Sequence, residues 1–251
     1  MNLADLAEPV RRLAERAGAA ILEIYGQPFD TIEKPDGSPV TAADLAADRI
    51  ICDGLLALTP AVPVVSEERT GTGLPDPSGS FWLVDPLDGT REFVVRNGEF
   101  TVNIALIENG KPVLGCIHIP AAGETYLGRM PDHAWGWRGG RGGPIAARRP
   151  PATGMVAVAS RHSRDAETDR ILAEHGVREV LSVGSALKFC RVAEGVADLY
   201  PRFGPTSEWD TAAGHALVVA AGGSVAVWGG GPLIYGKPGF RNPGFVARGR
   251  K

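Results

Sequence analysis

The sequence predicts a mixed α/β fold, and three stretches of the chain indicate it. Residues 3–25 carry apolar side chains at helical spacing. Residues 101–138 contain a series of short strands, and Asn109-Gly110 is a dipeptide typical of tight hairpins. After residue 155, short apolar runs alternate with helical segments, which is typical of α/β order. An antiparallel meander followed by an alternating second half is therefore expected.

In the first half, two helices are expected to precede the strands. The first helix ends near Gly26, and the second runs from Thr41, which can cap it, to Leu58. The strand that begins at Phe81 is expected to end at Asp85, because Pro86 has no N–H for a ladder. The predicted segments are a strand and loop over 29–40 with a turn at Pro35-Asp36-Gly37, and strands at Ala61–Val65, Phe81–Val84, Thr101–Ile107, Val113–Ile119, Glu124–Gly128 and Ala134–Arg138.

A stretch rich in Gly, Pro and Arg, from Gly139 to Pro151, separates the two halves. It predicts an N-terminal half over residues 1–140 and a C-terminal half over residues 141–251. In the C-terminal half, strands are expected at Met155–Ala159, Val180–Ser182, Ala197–Tyr200 and Ser224–Val227, and helices at Asp165–Glu174, Ser185–Glu194 and Ser207–Ala221.

Composition narrows the class of protein. The 251 residues are 44% hydrophobic and 22% charged, as in an ordinary globular protein, and the net charge of −3 gives no basic signature for a nucleic-acid polymer. The three cysteines are far apart and form no CxxC pair, so a disulfide framework or a zinc site is not expected. No apolar run approaches the ~20 residues that span a bilayer. A cytoplasmic protein without a transmembrane segment is expected.

The segment Trp82 to Thr90 carries the strongest chemical signal. Asp85 ends an apolar strand, and Asp88 follows three residues later beside Gly89-Thr90. Crowded carboxylates resist joint ionisation unless a cation lies between them. Mg²⁺ takes oxygen ligands and bridges readily to phosphate, so this segment predicts metal-assisted phosphate chemistry.

Two further acids extend the predicted cation site. Glu67 follows a short strand, although an exposed loop acid is an equally simple interpretation. Asp210 opens a helix, where Ser207-x-x-Asp210 also fits a capping box. Together with Asp85 and Asp88, these acids suit an oxygen site for more than one cation, to which the Leu87 carbonyl can add a ligand.

Thr90 is a candidate for orienting the attacking water, if an acid holds its proton. Asp44 is the candidate acid, and helix N-capping is the alternative role for Thr90. The N–H groups of Gly89 and Thr90 would face a phosphate at a helix N-terminus.

These segments resemble the inositol monophosphatase superfamily of metal-dependent, lithium-sensitive phosphatases. The resemblance covers nearly the whole chain and implies a five-layer αβαβα sandwich. It implies two or three Mg²⁺ ions held by Glu67, Asp85, the Leu87 carbonyl, Asp88 and Asp210. It also implies that Thr90, helped by Asp44, positions water together with Glu67. The segments that carry it are Val40-Thr41-Ala42-Ala43-Asp44, Ser66-Glu67-Glu68, Asp85-Pro86-Leu87-Asp88-Gly89-Thr90 and Trp209-Asp210-Thr211-Ala212-Ala213-Gly214.

Within that family, the chain is most similar to the CysQ-type 3'(2'),5'-bisphosphate nucleotidases. Segments such as Gly89-Thr90-Arg91-Glu92-Phe93 and Ser182-Val183-Gly184-Ser185-Ala186-Leu187-Lys188-Phe189 carry this similarity. It implies removal of the 3'-phosphate from adenosine 3',5'-bisphosphate to give AMP, with the phosphosulfate as a second candidate substrate, in connection with sulfate assimilation. The expected contacts of this phosphorylated nucleotide are Gly89, Thr90, His162, Ser185, Lys188 and Arg202.

Simpler interpretations stand beside these contacts. Lys188 can lie on a solvated helix face, Ser185 can cap the helix it starts, and His162 can be a loop residue. Inositol monophosphatase or histidinol phosphatase is the alternative activity, and a non-catalytic nucleotide-binding protein is the alternative class. The expected assembly is a monomer or homodimer, and the resemblance adds peripheral contact with the inner membrane as an alternative to a purely cytoplasmic location.

Overall fold

Two large β-sheets, a small hairpin and six α-helices make up the residues that the computed structural model describes, which are 2–33, 39–69, 75–161 and 165–251. The helices are α1 (Leu3–Tyr25), α2 (Ala42–Leu58), α3 (Thr90–Val94), α4 (Ala166–Glu174), α5 (Leu187–Ala193) and α6 (Glu208–Ala220). The strands are β1 (Thr31–Glu33), β2 (Pro39–Thr41), β3 (Val64–Ser66), β4 (Ser80–Asp88), β5 (Thr101–Glu108), β6 (Lys111–Ile119), β7 (Glu124–Arg129), β8 (His133–Arg138), β9 (Arg141–Pro144), β10 (Met155–Ser160), β11 (Val177–Val183), β12 (Leu199–Arg202), β13 (Ser224–Val227) and β14 (Phe245–Arg248).

The elements stack in five layers. α1 and α2 cover one face of the seven-stranded sheet, α5 and α6 lie between the two sheets, and α4 packs against the five-stranded sheet. The predicted αβαβα sandwich is confirmed.

The seven-stranded sheet contains the predicted meander. Its order is β3-β4-β5-β6-β7-β8-β9, and its neighbours are antiparallel except that β3 runs parallel to β4. Asn109 and Gly110 both have positive φ, 51° and 70°, so the predicted Asn-Gly turn joins β5 to β6.

The five-stranded sheet has the order β11-β10-β12-β14-β13. β10, β11 and β12 run parallel, whereas β14 pairs antiparallel with both β12 and β13. The sequence did not predict β14, nor β9, which pairs with β8 inside the Gly-rich stretch taken as the linker. The expected division at residue 140 falls inside the β8–β9 hairpin and stays a prediction.

The predicted end of β4 at Asp85 is wrong. Asp85 pairs with Asn103 and Asp88 pairs with Thr101, so one extra β4 residue is accommodated between these pairs. Pro86 lies in this bulge, where the missing N–H leaves no ladder position unfilled. The bulge lets the strand continue while its side chains change direction at the two aspartates.

Other boundaries also differ from the prediction, those of β3 and α5 among them. β3 covers Val64–Ser66 rather than Ala61–Val65, and α5 begins at Leu187 rather than at Ser185. Ser185 has a φ of 43°, which is outside the helical region, so α5 cannot begin at this residue. The predicted turn at Pro35-Asp36-Gly37 lies outside the described residues.

The middle layer holds α6 at close range to both neighbours. A Cβ at Gly214 would come within 2.2 Å of the Phe189 ring on α5. A Cβ at Gly115 of β6 would come within 2.3 Å of the Ala213 carbonyl oxygen. The small residues predicted to allow close packing of this helix therefore do so, and they fix its height above the sheet. Among the described residues, no helix combines the length and apolar character needed to cross a membrane.

Candidate active site

Two of the predicted acids come from neighbouring parallel strands. Ser66 of β3 pairs in register with Val84 of β4, so the carboxyl ends of the two strands lie side by side. Glu67 follows Ser66 and opens a single 3₁₀ turn, and Asp85 follows Val84 with 1% of its surface exposed. The strand pairing therefore brings these two carboxylates to the same edge.

The third acid comes from the middle layer. Asp210 lies in the first turn of α6, and its Oδ2 accepts the N–H of Ser207 at 2.8 Å. Carboxylate oxygens of Glu67, Asp85 and Asp210 all lie within 4.8 Å of one another. Asp210 thus has both predicted roles: it caps its helix, and it belongs to the acid cluster.

Burial and repulsion disfavour the charged form of this cluster. Burial, followed by the charges of Glu67, Asp88 and Asp210, raises the pKa of Asp85 well above its usual range. Burial, followed by the charge of Asp88, raises the pKa of Asp210 to about 8. A cation would relieve both effects. The oxygens, all within 4.8 Å of one another, lie close to the spacing of roughly 3–4 Å that ligands at about 2.1 Å from Mg²⁺ adopt.

Asp88 lies beside this cluster rather than within it. Its Oδ2 accepts the Ala186 N–H at 2.6 Å and the Asn103 side-chain N–H at 3.4 Å. Burial, opposed by the nearby Lys188 ammonium, raises the pKa of Asp88 to about 6. The hydrogen bond from Ala186 ties β4 to the loop before α5, so Asp88 connects the seven-stranded sheet to the middle layer.

Thr90 meets the acid predicted for it. Its Oγ1 lies 3.3 Å from Asp44 Oδ1 and 3.3 Å from the Leu87 carbonyl oxygen. Asp44 Oδ2 accepts the N–H and the hydroxyl of Thr41, both at 2.8 Å. Thr90 is the first residue of α3 and Gly89 is its N-cap, with a φ of 89°, so the N-cap alternative for Thr90 is wrong.

A cavity of about 150 Å³ opens beside the acids and holds most of the predicted substrate contacts. Its lining residues are Asp88, Gly89, Arg91, Glu92, Ser160, Ser185, Ala186, Lys188, Phe189, Tyr200, Arg202, Thr206, Asp210 and Thr211.

Lys188 is buried, so the solvated-face alternative for it is wrong. Its Nζ donates to the carbonyl oxygens of Val183 and Ser185 at 3.2 and 2.6 Å, and lies 5.5 Å from the Tyr200 ring centre. Burial lowers the pKa of Lys188 to about 8, although the negative charge of Asp88 opposes the shift. The ammonium group is thus held in place at the cavity wall.

Ser185 does not cap α5. Its Oγ is buried at the cavity without a hydrogen-bond partner among the described residues. Arg202 ends β12 and donates to the Pro205 carbonyl oxygen at 3.2 Å. His162 lies outside the described residues, and its predicted contact stays a prediction.

Several lining residues were not predicted. Ser160 is the last residue of the parallel strand β10, at the carboxyl end where α/β sheets commonly bind ligands, and Tyr200 lies within β12. That general rule was the available signal. Glu92, Thr206 and Thr211 reach the cavity through tertiary packing that no local pattern indicates.

Comparison with known proteins places this geometry in a family. Residues 2–246 match the inositol monophosphatase family. The CysQ 3'(2'),5'-bisphosphate nucleotidase of Escherichia coli is 49% identical over 253 residues, covering 96% of this chain and 98% of that protein. That of Haemophilus influenzae is 32% identical, with 96% and 91% covered.

Solved structures agree. The crystal structure of CysQ from Bacteroides thetaiotaomicron has a TM-score of 0.84 at 38% identity and covers 98% of both chains. An IMPase from Thermotoga maritima has a TM-score of 0.79 at 25% identity, over 99% of this chain and 92% of that one. The chain belongs to the inositol monophosphatase family. The resemblance to this family and its CysQ branch is confirmed, and with it the class, a phosphatase.

Proposed function

We propose that the chain is a Mg²⁺-dependent 3'(2'),5'-bisphosphate nucleotidase that converts adenosine 3',5'-bisphosphate to AMP. The observation that supports this proposal most is a cavity lined by both kinds of charge. Asp88 and Asp210 line it together with Lys188 and Arg202. A substrate with two phosphates needs a cation site for the reacting phosphate and fixed cations for the other. The curated CysQ nucleotidases at up to 49% identity support this choice of substrate class.

The metal site is proposed to hold two or three Mg²⁺ ions through Glu67, Asp85, Asp210, Asp88 and the Leu87 carbonyl. The first three already converge within 4.8 Å, and the last two lie on the same β4 bulge. Bound Mg²⁺ would polarise the phosphoryl group, lower the pKa of a water and neutralise the departing oxygen.

The residues around Thr90 are proposed to orient the water. Asp44 is held by Thr41 through one oxygen and accepts the Thr90 hydroxyl through the other. The Thr90 oxygen therefore turns its lone pair outward and accepts a proton of the water, together with Glu67. The water oxygen forms the new bond to phosphorus, the ester bond to the 3' oxygen breaks, and a proton from water ends on that oxygen.

The second half is proposed to hold the nucleotide. Lys188 and Arg202 would pair with the 5'-phosphate, and the unpartnered Ser185 hydroxyl would bond to a phosphate oxygen. Gly89 and Thr90 would contact the 3'-phosphate, and His162 remains a proposed contact of the nucleotide. A cytoplasmic monomer or homodimer acting in sulfate assimilation completes the proposal. The three free, buried cysteines are compatible with a reducing compartment.

The test is phosphate release, with Mg²⁺, from adenosine 3',5'-bisphosphate, adenosine 3'-monophosphate and inositol 1-phosphate in parallel. We expect the bisphosphate to have the highest kcat/KM, by about 10²-fold over the monophosphate that lacks the second anion. Arg202→Met should remove most of that ratio, because it deletes a proposed partner of the 5'-phosphate.

Arg248→Met is the matched control, since Arg248 lies on the neighbouring strand and contacts His175 rather than the cavity. A higher kcat/KM for inositol 1-phosphate would contradict the substrate and identify an inositol monophosphatase. An unchanged ratio in Arg202→Met would contradict the proposed phosphate contact.

A further inference from the structure

A second buried carboxylate lies on α2, one turn after Asp44, and the proposed reaction does not use it. Asp48 is 6% exposed and lies on the same face of the helix as Asp44, four residues earlier. A buried carboxylate needs compensating partners, since its desolvation is costly. The identity of these partners indicates what Asp48 does.

The partners of Asp48 flank Glu67. Asp48 Oδ1 accepts the Ser66 hydroxyl at 2.6 Å, and Asp48 Oδ2 accepts the Arg69 Nε–H at 2.7 Å. Ser66 precedes Glu67 directly, and Arg69 ends the 3₁₀ turn that Glu67 begins. One carboxylate on a helix thus fastens both sides of the turn that presents Glu67.

A third contact keeps Asp48 in place. The Cys52 thiol, one turn further along α2, donates to Asp48 Oδ1 at 3.3 Å. Burial and the charge of Asp48 raise the pKa of Cys52 to about 12, so the thiol stays a neutral donor. Of the three side chains that donate to the Asp48 carboxylate, only Arg69 is long and flexible.

The need for such an anchor follows from the repulsion in the site. Glu67 is drawn within 4.8 Å of the Asp85 and Asp210 carboxylates, yet it projects from a three-residue turn rather than from a long element. Without a restraint, the turn can relax by moving Glu67 away from the other two acids.

We propose that Asp48 is a positioning residue for Glu67, which holds the Ser66–Arg69 turn so that the three carboxylates converge on a Mg²⁺ ion. The inference rests on the proposed function in one respect, that the cluster binds Mg²⁺. α2 then positions two functional residues: Asp44 orients Thr90, and Asp48 places Glu67. Removal of an outer partner of a metal ligand commonly weakens metal affinity about 10–100-fold.

The experiment measures Mg²⁺ binding to the full chain by calorimetry, in the absence of substrate, for wild type and variants. Asp48→Asn should raise the Mg²⁺ dissociation constant about tenfold or more, because the neutral amide has only one acceptor oxygen for the two donors, Ser66 and Arg69. Ser66→Ala should weaken binding less, since Arg69 still holds the turn. Arg69→Gln should also weaken it, and Arg69→Lys should restore part of the loss.

The matched control is Asp198→Asn. Asp198 is also a buried aspartate paired with an arginine, since it accepts Arg148 Nε–H at 2.8 Å, but it contacts no residue of the acid cluster's turn. We expect this variant to lower the Tm without changing the Mg²⁺ dissociation constant. At saturating Mg²⁺, Ser66→Ala should regain most of its kcat, which a fold defect would not allow.

Two outcomes would overturn the inference in different ways. If wild type binds Mg²⁺ and Asp48→Asn and Ser66→Ala bind it equally well, Asp48 serves stability alone and the proposed function stands. If wild type binds no Mg²⁺, the proposed metal chemistry fails, and the positioning role fails with it.

Discussion

The N-termini of α2 and α6 have the same local design and serve different chemistry. Each helix has a hydroxyl residue at its N-cap, Thr41 or Ser207, and an aspartate three residues later. In each, Oδ2 of that aspartate accepts the N–H of the N-cap residue at 2.8 Å. The capping box therefore fixes both carboxylates before any ligand arrives.

The two carboxylates differ in their other neighbours. Asp44 Oδ1 meets the Thr90 hydroxyl, so the carboxylate is satisfied by donors on both sides. Asp210 lies within 4.8 Å of the Glu67 and Asp85 carboxylates, whose repulsion a bound cation would relieve. An identical helix start thus supplies either a hydrogen-bond acceptor or a cation ligand, and the layer into which the helix packs decides which.

The largest expected effect comes from changing Asp210, the aspartate of α6 that belongs to the acid cluster. Asp210→Asn should lower kcat on the order of 10³-fold and abolish most Mg²⁺ binding, since one cation ligand is lost. In EDTA, its Tm should rise above that of wild type, because one of three repelling carboxylates is removed. Kinetics, calorimetry and thermal unfolding check the three parts.

Asp165→Asn is the control for Asp210→Asn. Asp165 caps α4 through the Thr168 N–H at 2.8 Å, away from the acids, and asparagine caps equally well. If Asp210→Asn kept wild-type Mg²⁺ binding, the two helix starts would have the same role and the contrast would be lost.

The aspartate of α2, Asp44, which accepts the Thr90 hydroxyl, should behave differently. Asp44→Asn should lower kcat about 10²-fold with little change in Mg²⁺ affinity, because the amide no longer fixes the direction of the Thr90 hydroxyl. Thr90→Ser should keep most of the activity. Since the two residues act as a unit, the Asp44→Asn/Thr90→Ala double variant should be scarcely slower than Thr90→Ala.

Steady-state kinetics over a Mg²⁺ titration would distinguish the role of Asp44 from that of Asp210. A raised Mg²⁺ requirement in Asp44→Asn, as large as that in Asp210→Asn, would show that Asp44 acts on the cation and not through Thr90.

The smallest effect concerns how α6 is anchored. His215 is partly buried on α6 with its Nδ1 3.0 Å from the Tyr235 hydroxyl, and desolvation lowers the pKa of His215 to about 4 from 6.5. The unfolded chain takes up this proton first, so the free energy of unfolding should fall as the pH drops from 6.5 toward 4. Denaturant unfolding of His215→Gln should show a flatter pH profile over this range, and an equally steep profile would remove His215 as the cause.

The sequence predicted the acid cluster because strand ends and helix starts are locally encoded. Glu67 and Asp85 follow apolar runs, and Asp210 lies in a capping pattern before small residues. The five layers followed from the family resemblance, and the periodic segments agreed with it. These features depend on neighbours along the chain, which a single sequence displays.

Other features depend on neighbours in space, and the sequence does not display those. Pro86 was read as a strand end, although a bulge accommodates it against β5. Ser185 is predicted to start a helix, but its φ of 43° excludes it from the helix, and the N–H of the next residue, Ala186, donates to Asp88. In the sequence Asp48 is one polar residue among others on a helix, and only the fold brings Ser66 and Arg69 to it.

The acid cluster also has a consequence for the order of assembly during synthesis. Glu67 and Asp85 leave the ribosome long before Asp210, which belongs to a helix near the end of the chain. The oxygens cannot converge until that helix has inserted between the two sheets. We therefore expect Mg²⁺ binding to be a late event in folding. Its appearance during refolding would then report the insertion of α6 between the sheets. Tryptophan fluorescence would follow the rest of folding independently.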